Sequence, residues 1–404
     1  MSPSITLCFI YILCFMFSFI NWDIWDMDNY SYKAAWLIAL TVSVFSIVGI
    51  GVDKIIFGKK RFYSNSTKKS TVNFIEVRVE SSIIVLNSFF CIVTILWTLI
   101  IVIQTRGAIG LSQGEITSEL SVPTLLNLFQ RYVYLQGYFF AFVVVYNIIV
   151  RKFRASDIWM LFAIFSTCFL ALLSGSRMEV LKVISFILIA LYIIWRKKYG
   201  WYRNVNFKFV CIGLLSICVV LVLFYQLRYF KSGDSTEFTP LYYISMYIGA
   251  PIKLFDLYIN NPIYQSSIWG KESFSILNGN LVTLGLRDTY IVRHLEFRGI
   301  GNLSLGNVYG APRRYYQDFG VGGLITLVAI LSFFFHILYG KIKNTLNRGV
   351  NFFSLIYCYL FTSIIMFPID DIFYSQLSIG YVLNIIYLYI FYVIIIKKNI
   401  VFKW

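Results

Sequence analysis

The chain has 404 residues, of which 59% are apolar and only 13% are charged. An ordinary soluble domain has about 25% charged residues. This composition excludes a disordered chain, a coiled coil and a soluble enzyme, and it makes nucleic-acid binding a poor explanation of the net charge of +16. Basic loops on one side of a membrane protein explain that charge better.

Ten apolar runs are long enough to cross a bilayer, which takes roughly 20 residues, although the first and fifth runs are short. The runs cover residues 4–20, 34–57, 83–103, 129–150, 158–173, 178–195, 209–227, 319–340, 351–367 and 378–396. We therefore expect an all-α polytopic membrane protein with about ten, and at most twelve, transmembrane helices. Residues 1–404 are expected to form a single integral membrane domain.

Lys and Arg are unevenly distributed among the segments that join these runs. Most of them fall in five segments that carry few acidic residues, whereas the rest of the chain is nearly neutral. The five segments are 54–78, 151–154, 196–208, 341–348 and 397–403. By the positive-inside rule these segments face the cytoplasm, and both termini are then cytoplasmic as well.

One segment on the opposite side, residues 228–318, is far longer than the others and is predicted to be an extracytoplasmic loop. Gly249 and Pro251 would break its apolar stretch, and Lys253 and Asp256 would be costly at the bilayer centre. We expect helices that lie at the outer surface with their aromatic faces in the interface, and a re-entrant pair is the alternative.

A very short connection, Ser174-Gly175-Ser176-Arg177, joins the fifth and sixth runs on the outer side. In the simpler interpretation it is a tight helical hairpin, and Arg177 reaches lipid phosphates or pairs with Glu179. In the functional interpretation Arg177 faces an outer cavity and binds an anionic group, for which the planar guanidinium is well suited.

A second cluster closes the long loop and leads directly into the eighth run, where Gly322 and Gly323 would permit close helix packing. The cluster combines two adjacent arginines, three tyrosines and an acid: Tyr309, Arg313, Arg314, Tyr315, Tyr316 and Asp318. An aromatic belt with a basic anchor is the alternative interpretation, although the basic bias belongs on the inner side.

The order of these features resembles the Wzy-type oligosaccharide repeat-unit polymerases, which make O-antigen and capsular polysaccharide. The resemblance rests on Leu173 to Arg177 after an apolar helix, then the long outer loop. It continues with Gly306-Asn307-Val308-Tyr309 and with Tyr315-Tyr316-Gln317-Asp318-Phe319-Gly320 before Gly322-Gly323. It covers roughly residues 80–340.

The resemblance implies a GT-C-like helical membrane fold and an inverting glycosyltransferase that needs no metal and no cofactor. Such an enzyme joins undecaprenyl-pyrophosphate-linked oligosaccharides at the outer face of the bacterial plasma membrane. Its expected partners are that substrate, membrane lipid, a flippase and a chain-length regulator, and no nucleic acid.

Breaking the glycosyl–pyrophosphate bond leaves extra negative charge on the lipid pyrophosphate, which preorganised arginines in a cavity would stabilise. Arg177 and either Arg313 or Arg314 are the expected catalytic groups. Arg131, close to the outer end of the fourth run, is a candidate for substrate binding, with a rim anchor as the alternative.

Inversion also requires a base near the acceptor hydroxyl, and Asp318 and His294 are the available residues in the long loop. Tyr309, Tyr315 and Tyr316 could stack on sugar rings or anchor the loop in the interface.

Three other functions stay open. Asp26-Met27-Asp28 could hold a divalent cation in a metal-dependent polyprenyl-phosphate-sugar transferase. An O-antigen ligase would share the topology but use lipid A core as acceptor. A polysaccharide flippase would be expected to show internal repeats and intramembrane charges. Asp370-Asp371 could take part in the function of either an enzyme or a transporter. In the simplest interpretation the two residues form a solvated turn.

Overall fold

The computed structural model describes residues 2–58, 74–106, 123–174, 176–201, 239–264, 266–288, 295–344 and 350–397, with a few positions between 213 and 226. The helices are α1 (Pro3–Phe19), α2 (Tyr32–Ile55), α3 (Ser81–Arg106), α4 (Thr124–Val150), α5 (Asp157–Leu173), α6 (Arg177–Tyr199), α7 (Pro240–Ile248), α8 (Ala250–Asn260), α9 (Ser275–Thr283), α10 (Ala311–Asn344), α11 (Phe352–Leu360), α12 (Thr362–Met366) and α13 (Ile379–Phe391). Strands β1 (Arg298–Ile300) and β2 (Leu303–Gly306) form an antiparallel hairpin, which the sequence did not predict.

Six of the described helices are long and apolar enough to cross a membrane: α2, α3, α4, α6, α10, and α13 with the π-helical turn Tyr392–Lys397 that follows it. Three shorter apolar helical stretches are α1, α5 and Phe352–Met366. The structure thus confirms a mostly helical protein with apolar helices suited to a membrane. The count of ten spans stays a prediction, and most of the seventh run lies outside the described residues.

The chain divides into two compact units. Unit 1 comprises Met1–Lys69, Phe238–Thr345 and Leu360–Val382, and unit 2 comprises Ser70–Glu237, Leu346–Tyr359 and Leu383–Trp404. The long loop predicted over 228–318 therefore belongs mostly to unit 1. Unit 1 also contains α1, α2, α10 and α12, whereas unit 2 contains α3 to α6 and most of α11 and α13.

The core of unit 1 forms where α2 packs along α10 and α1 contacts both. Helices α7 and α8 are separate elements that meet at Gly249, close to Pro251, where the sequence predicted a break. A Cβ atom at Gly249 would lie 2.6 Å from the amide nitrogen of Ser18 on α1, so only glycine allows this approach. The Ser18 hydroxyl donates a hydrogen bond to the Gly249 carbonyl at 2.8 Å.

Helix α8 corrects one expectation, because it does not lie on the surface but is largely buried within unit 1. Its two charges are partnered: Lys253 Nζ lies 3.0 Å from Asp256 and donates to the Asp26 carbonyl at 2.7 Å. Asp256 also accepts the backbone N–H of Ser31 at 2.8 Å. A paired and hydrogen-bonded charge can be buried at a much lower cost than an isolated one, which is why the helix tolerates both residues.

In unit 2, α4 is the most deeply buried of the candidate spans and packs against α3, α5 and α6. Helices α5 and α6 are joined by only three residues, and the Ser176 N–H donates to the Ala171 carbonyl at 2.9 Å. This is the tight hairpin that the sequence predicted.

Helix α10 is interrupted at Gly320, whose φ of 63° and ψ of −157° are not helical. Residues with a side chain are strained at such angles, whereas glycine adopts them readily. The break separates a polar first part, residues 311–319, from an apolar second part, residues 321–344.

Candidate functional site

Arg313, on the first turn of α10, is completely buried in unit 1. Its guanidinium lies between the rings of Tyr258 and Tyr309, 4.7 and 4.9 Å from their centroids. It forms ion pairs with Glu272 and with Glu296, the latter at 2.6 Å. Because two carboxylates already neutralise it, Arg313 is better suited to holding the site together than to binding a substrate anion.

Arg314 is also buried, but it pairs with one carboxylate where Arg313 pairs with two. It forms an ion pair with Asp370 at 3.1 Å and a long hydrogen bond of 3.4 Å to the Glu272 carbonyl. Its Nε–H, like that of Arg313, is buried and has no acceptor among the described residues. A buried donor without a partner costs about 1–3 kcal/mol, so this group is suited to an incoming oxygen atom.

The backbone around Gly310 places Arg314 beside Asp370. The Ala311 N–H donates to the Phe367 carbonyl at 2.9 Å, so the start of α10 is joined directly to the chain that leads to Asp370. A Cβ atom on Gly310 would lie 2.8 Å from the Pro368 carbonyl oxygen. Glycine is therefore required for this close contact.

Asp318 binds the loop that carries Glu272. Its carboxylate accepts the backbone N–H groups of Ser273 at 2.7 Å and of Glu272 at 3.0 Å. The Glu272 carbonyl on this loop accepts a hydrogen bond from Arg314, so Asp318 and Arg314 bind the loop to α10 at two positions. This geometry gives Asp318 a positioning role, and its role as the base stays a prediction.

An aromatic platform is formed by Trp269 and Phe274 on this loop and by Phe319 on α10. The Trp269 and Phe274 rings are stacked at 4.9 Å with 3° between their planes, and Phe319 lies 5.6 Å from Trp269. The Asn278 amide fixes the backbone by donating to the Gly270 carbonyl at 2.8 Å. Trp269 nevertheless remains 58% exposed, so the platform is rigid and one part of it is open.

Gly323 makes room for this platform, which corrects the expectation that Gly322 and Gly323 serve helix packing. A Cβ atom on Gly323 would collide with the Phe319 side chain, and one on Gly322 would meet nothing within 4 Å.

The three tyrosines predicted to stack on sugars have different environments. Tyr309 and Tyr315 are fully buried, and Tyr309 already lies against Arg313 while its hydroxyl donates to the Glu296 carbonyl at 3.1 Å. Their burial does not fit the predicted stacking role. Tyr316 is half-buried, and its ring packs edge-on against Tyr258 with Lys33 Nζ 5.6 Å above it.

The interpretation of Asp370-Asp371 as a solvated turn is wrong for Asp371, which is 2% exposed. Its carboxylate accepts the backbone N–H groups of Phe373, Tyr374 and Ser375 at 3.0 to 3.1 Å, and these bonds explain why it is buried. Burial raises the pKa of Asp371 to about 6.

Unit 2 holds the other two predicted arginines. Arg177 is the first residue of α6, and its side chain lies outside the described part of the chain. Glu179 forms an ion pair with Lys182 at 2.6 Å. Arg131 is half-buried on α4.

His294 lies outside the described residues. Asp26 and Asp28 are engaged locally, since Asp26 accepts from the Asn29 amide at 2.8 Å and Asp28 from the Trp22 indole at 2.9 Å. Among the described residues no three His, Cys, Asp or Glu side chains are grouped as a metal site would require.

Sequence reasoning missed Trp269, Glu272 and Glu296, and it undervalued Asp370. A signal existed for Glu296, because residues two apart in an extended segment share a face, and Arg298 binds Glu296 at 3.1 Å. Glu272 and Asp370 reach the arginines only through the tertiary fold.

Comparison with known protein families, curated proteins and solved structures finds no match to this chain.

Proposed function

We propose that the protein is a membrane-embedded glycosyltransferase that joins undecaprenyl-pyrophosphate-linked oligosaccharide repeats into a surface polysaccharide, at the outer face of a bacterial plasma membrane. The observation that carries the proposal is Arg314, a buried guanidinium with a spare Nε–H, paired with a carboxylate, Asp370, that is 36% exposed. The order of motifs that resembles the Wzy-type polymerases supports the same function.

In the proposed reaction, a hydroxyl of one repeat attacks the anomeric carbon of the growing chain. The new carbon–oxygen bond forms while the bond to pyrophosphate breaks, so the configuration inverts and the lipid pyrophosphate leaves. The hydroxyl proton passes to a carboxylate, for which Asp370 is the best placed because it is the most exposed of the acids around the arginines. Arg314 donates to the pyrophosphate oxygens as their charge develops.

The aromatic platform supports a sugar substrate. The exposed part of Trp269 offers a flat apolar surface to the C–H groups of a pyranose ring, and its stacking on Phe274 fixes its orientation in advance. The loop from Trp269 to Phe274 is bound to α10 through Asp318 and Arg314, so a sugar on Trp269 lies on the element that also contacts the arginine. Arg131 and Arg177 keep their predicted roles, and His294 stays the alternative to Asp370 as the base.

The test is polymer synthesis by the purified protein in lipid nanodiscs, supplied with lipid-linked repeats extracted from a strain that lacks the gene. We expect a ladder of products without nucleotide sugar. Arg314→Gln should reduce the ladder at least about a hundredfold, a magnitude seen when one donor to a developing oxyanion is removed. Lys271→Gln, which removes a charge from the same loop, is the matched control and should leave the ladder unchanged.

Other outcomes identify the other functions. Transfer of repeats to lipid A core without a ladder would indicate a ligase. Loss of the ladder with a chelator, restored by a divalent cation, would indicate the metal-dependent transferase. If the strain that lacks the gene accumulates repeats inside the cell, a flippase is the better interpretation.

A further inference from the structure

Unit 2 contains a cavity of about 440 Å³ that is independent of the site proposed above. It lies where α4 ends at Val150 and where the π-helical turn after α13 ends at Lys397. Its lining comes from four places in the chain: Ile75, Glu76, Val77, Arg78, Tyr146, Val350, Ile395 and Ile396. Because it lies at the ends of two apolar spans, the cavity lies at a boundary between apolar and polar surroundings.

The polar side of the cavity carries an excess of positive charge. Glu76 pairs with three arginines, Arg78 at 2.6 Å, Arg151 at 2.7 Å and Arg154 at 2.9 Å. The hydrogen bond from Arg78 is the main cause that lowers the pKa of Glu76. Arg151 is also bound to Asp157 at 2.8 Å, so three arginines face two carboxylates.

Two of these arginines have donors to spare. Arg78 uses its Nε and Arg154 its Nη1 to bind Glu76, and their side chains are 80% and 59% exposed. The remaining guanidinium N–H groups have no hydrogen-bond acceptor among the described residues. Guanidinium groups of this kind bind phosphate oxygens in pairs, with good geometry.

The other side of the cavity is apolar and preformed. Ile75, Val350, Ile395 and Ile396 line it, and the last two belong to the π-helical turn, a rare conformation that often marks functional sites. The Tyr146 hydroxyl donates to the Ile75 carbonyl at 3.0 Å and holds this segment in place.

We propose that this cavity binds an anionic glycerophospholipid, with its phosphate on Arg78 and Arg154 and an acyl chain along the isoleucines. The spare guanidinium donors match the phosphate of such a lipid, and the apolar wall matches its acyl chain. The position at the ends of two spans is where both parts of the lipid meet. Arg78 and Arg154 also belong to segments that the charge distribution assigns to the cytoplasmic side. Anionic lipids of that leaflet attract basic residues next to the membrane.

The test is lipid retention by the full-length protein in mixed micelles of equal phosphatidylglycerol and phosphatidylcholine, measured by native mass spectrometry. We expect the protein to retain phosphatidylglycerol preferentially. Each of Arg78→Ala and Arg154→Ala should weaken this preference about fivefold, the effect of one basic residue beside an anionic lipid. Both side chains are exposed, so the variants should fold. Lys54→Ala, an exposed cation at the end of α2, is the control and should have no effect.

A second variant tests the apolar half separately. Ile396→Trp fills the cavity while leaving every charge in place, and it should reduce phosphatidylglycerol retention as much as the arginine variants do. Equal retention of the two lipids by the unmodified protein, or unchanged preference in all three variants, would overturn the proposal. So would competition by millimolar glycerol 1-phosphate or inorganic phosphate, because a site that needs no acyl chain is a phosphate site.

Discussion

Arg314 and Asp370 lie 56 residues apart in the sequence and form an ion pair of 3.1 Å. The pair links the first turn of α10 to the chain segment after α12. The neighbouring residue, Arg313, forms ion pairs with two other carboxylates, those of Glu272 and Glu296. The two adjacent arginines therefore have different surroundings: Arg313 pairs with two carboxylates, whereas Arg314 pairs with one carboxylate that is more exposed.

This difference predicts that two matched substitutions destabilise the protein to different extents. Arg313→Gln leaves Glu272 and Glu296 facing each other without a buried cation, and it should destabilise the protein by about 3–5 kcal/mol. Arg314→Gln leaves only the more exposed Asp370 without its partner and should cost much less. Thermal unfolding in detergent measures both. Equal shifts for the two variants would contradict the division of roles.

Gly310→Ala should impair activity through the backbone. The added Cβ would lie 2.8 Å from the Pro368 carbonyl, so the start of α10 must move away from the segment that carries Asp370. We expect activity to fall as far as in Arg314→Gln. Gly322→Ala, where a Cβ meets nothing within 4 Å, is the control on the same helix. Normal activity of Gly310→Ala would show that the Arg314–Asp370 contact is dispensable.

Trp269→Ala should weaken sugar binding about tenfold, which corresponds to roughly 1.4 kcal/mol. Trp269→Phe retains a ring that can stack on Phe274 and should recover most of the loss. The measurement is the concentration of lipid-linked repeat at half-maximal rate. Trp36→Ala, a similarly exposed tryptophan on α2, should behave like the unmodified protein. If Trp36→Ala has the same effect, these tryptophans are general interface anchors.

Asp371 gives a prediction about pH. Its pKa is about 6 in the folded protein, whereas the ordinary value of 3.8 applies to the unfolded chain. Between pH 3.8 and about 6 the folded state therefore binds more protons than the unfolded state. The stability that this residue contributes is therefore greatest at low pH, and it declines as the pH rises through this window and is constant above it. Asp371→Asn should remove this part of the pH dependence of thermal unfolding, whereas Asp370→Asn should retain it.

The sequence predicted the helices well because each apolar run is a local signal. Run 34–57 and helix Tyr32–Ile55 differ by only two residues at either end. The sequence also identified Arg313 and Arg314 as candidates, since adjacent arginines next to an apolar run are conspicuous. It did not assign them different roles, because Glu272, Glu296 and Asp370 reach them only in the folded chain. The burial of α8 was missed for the same reason: Lys253 and Asp256 look too costly until Asp26 and Ser31 are seen to satisfy them.

The break at Gly320 also sets how much of α10 is available to cross a bilayer. The whole helix of 34 residues would be roughly 51 Å long, far more than the ~30 Å hydrocarbon thickness that a span must match. The part after Gly320 is roughly 36 Å long, which a modest tilt accommodates. The break at a single glycine thus limits the spanning part of α10 to a length that fits the membrane. The nine residues before it lie outside that span and can carry polar side chains.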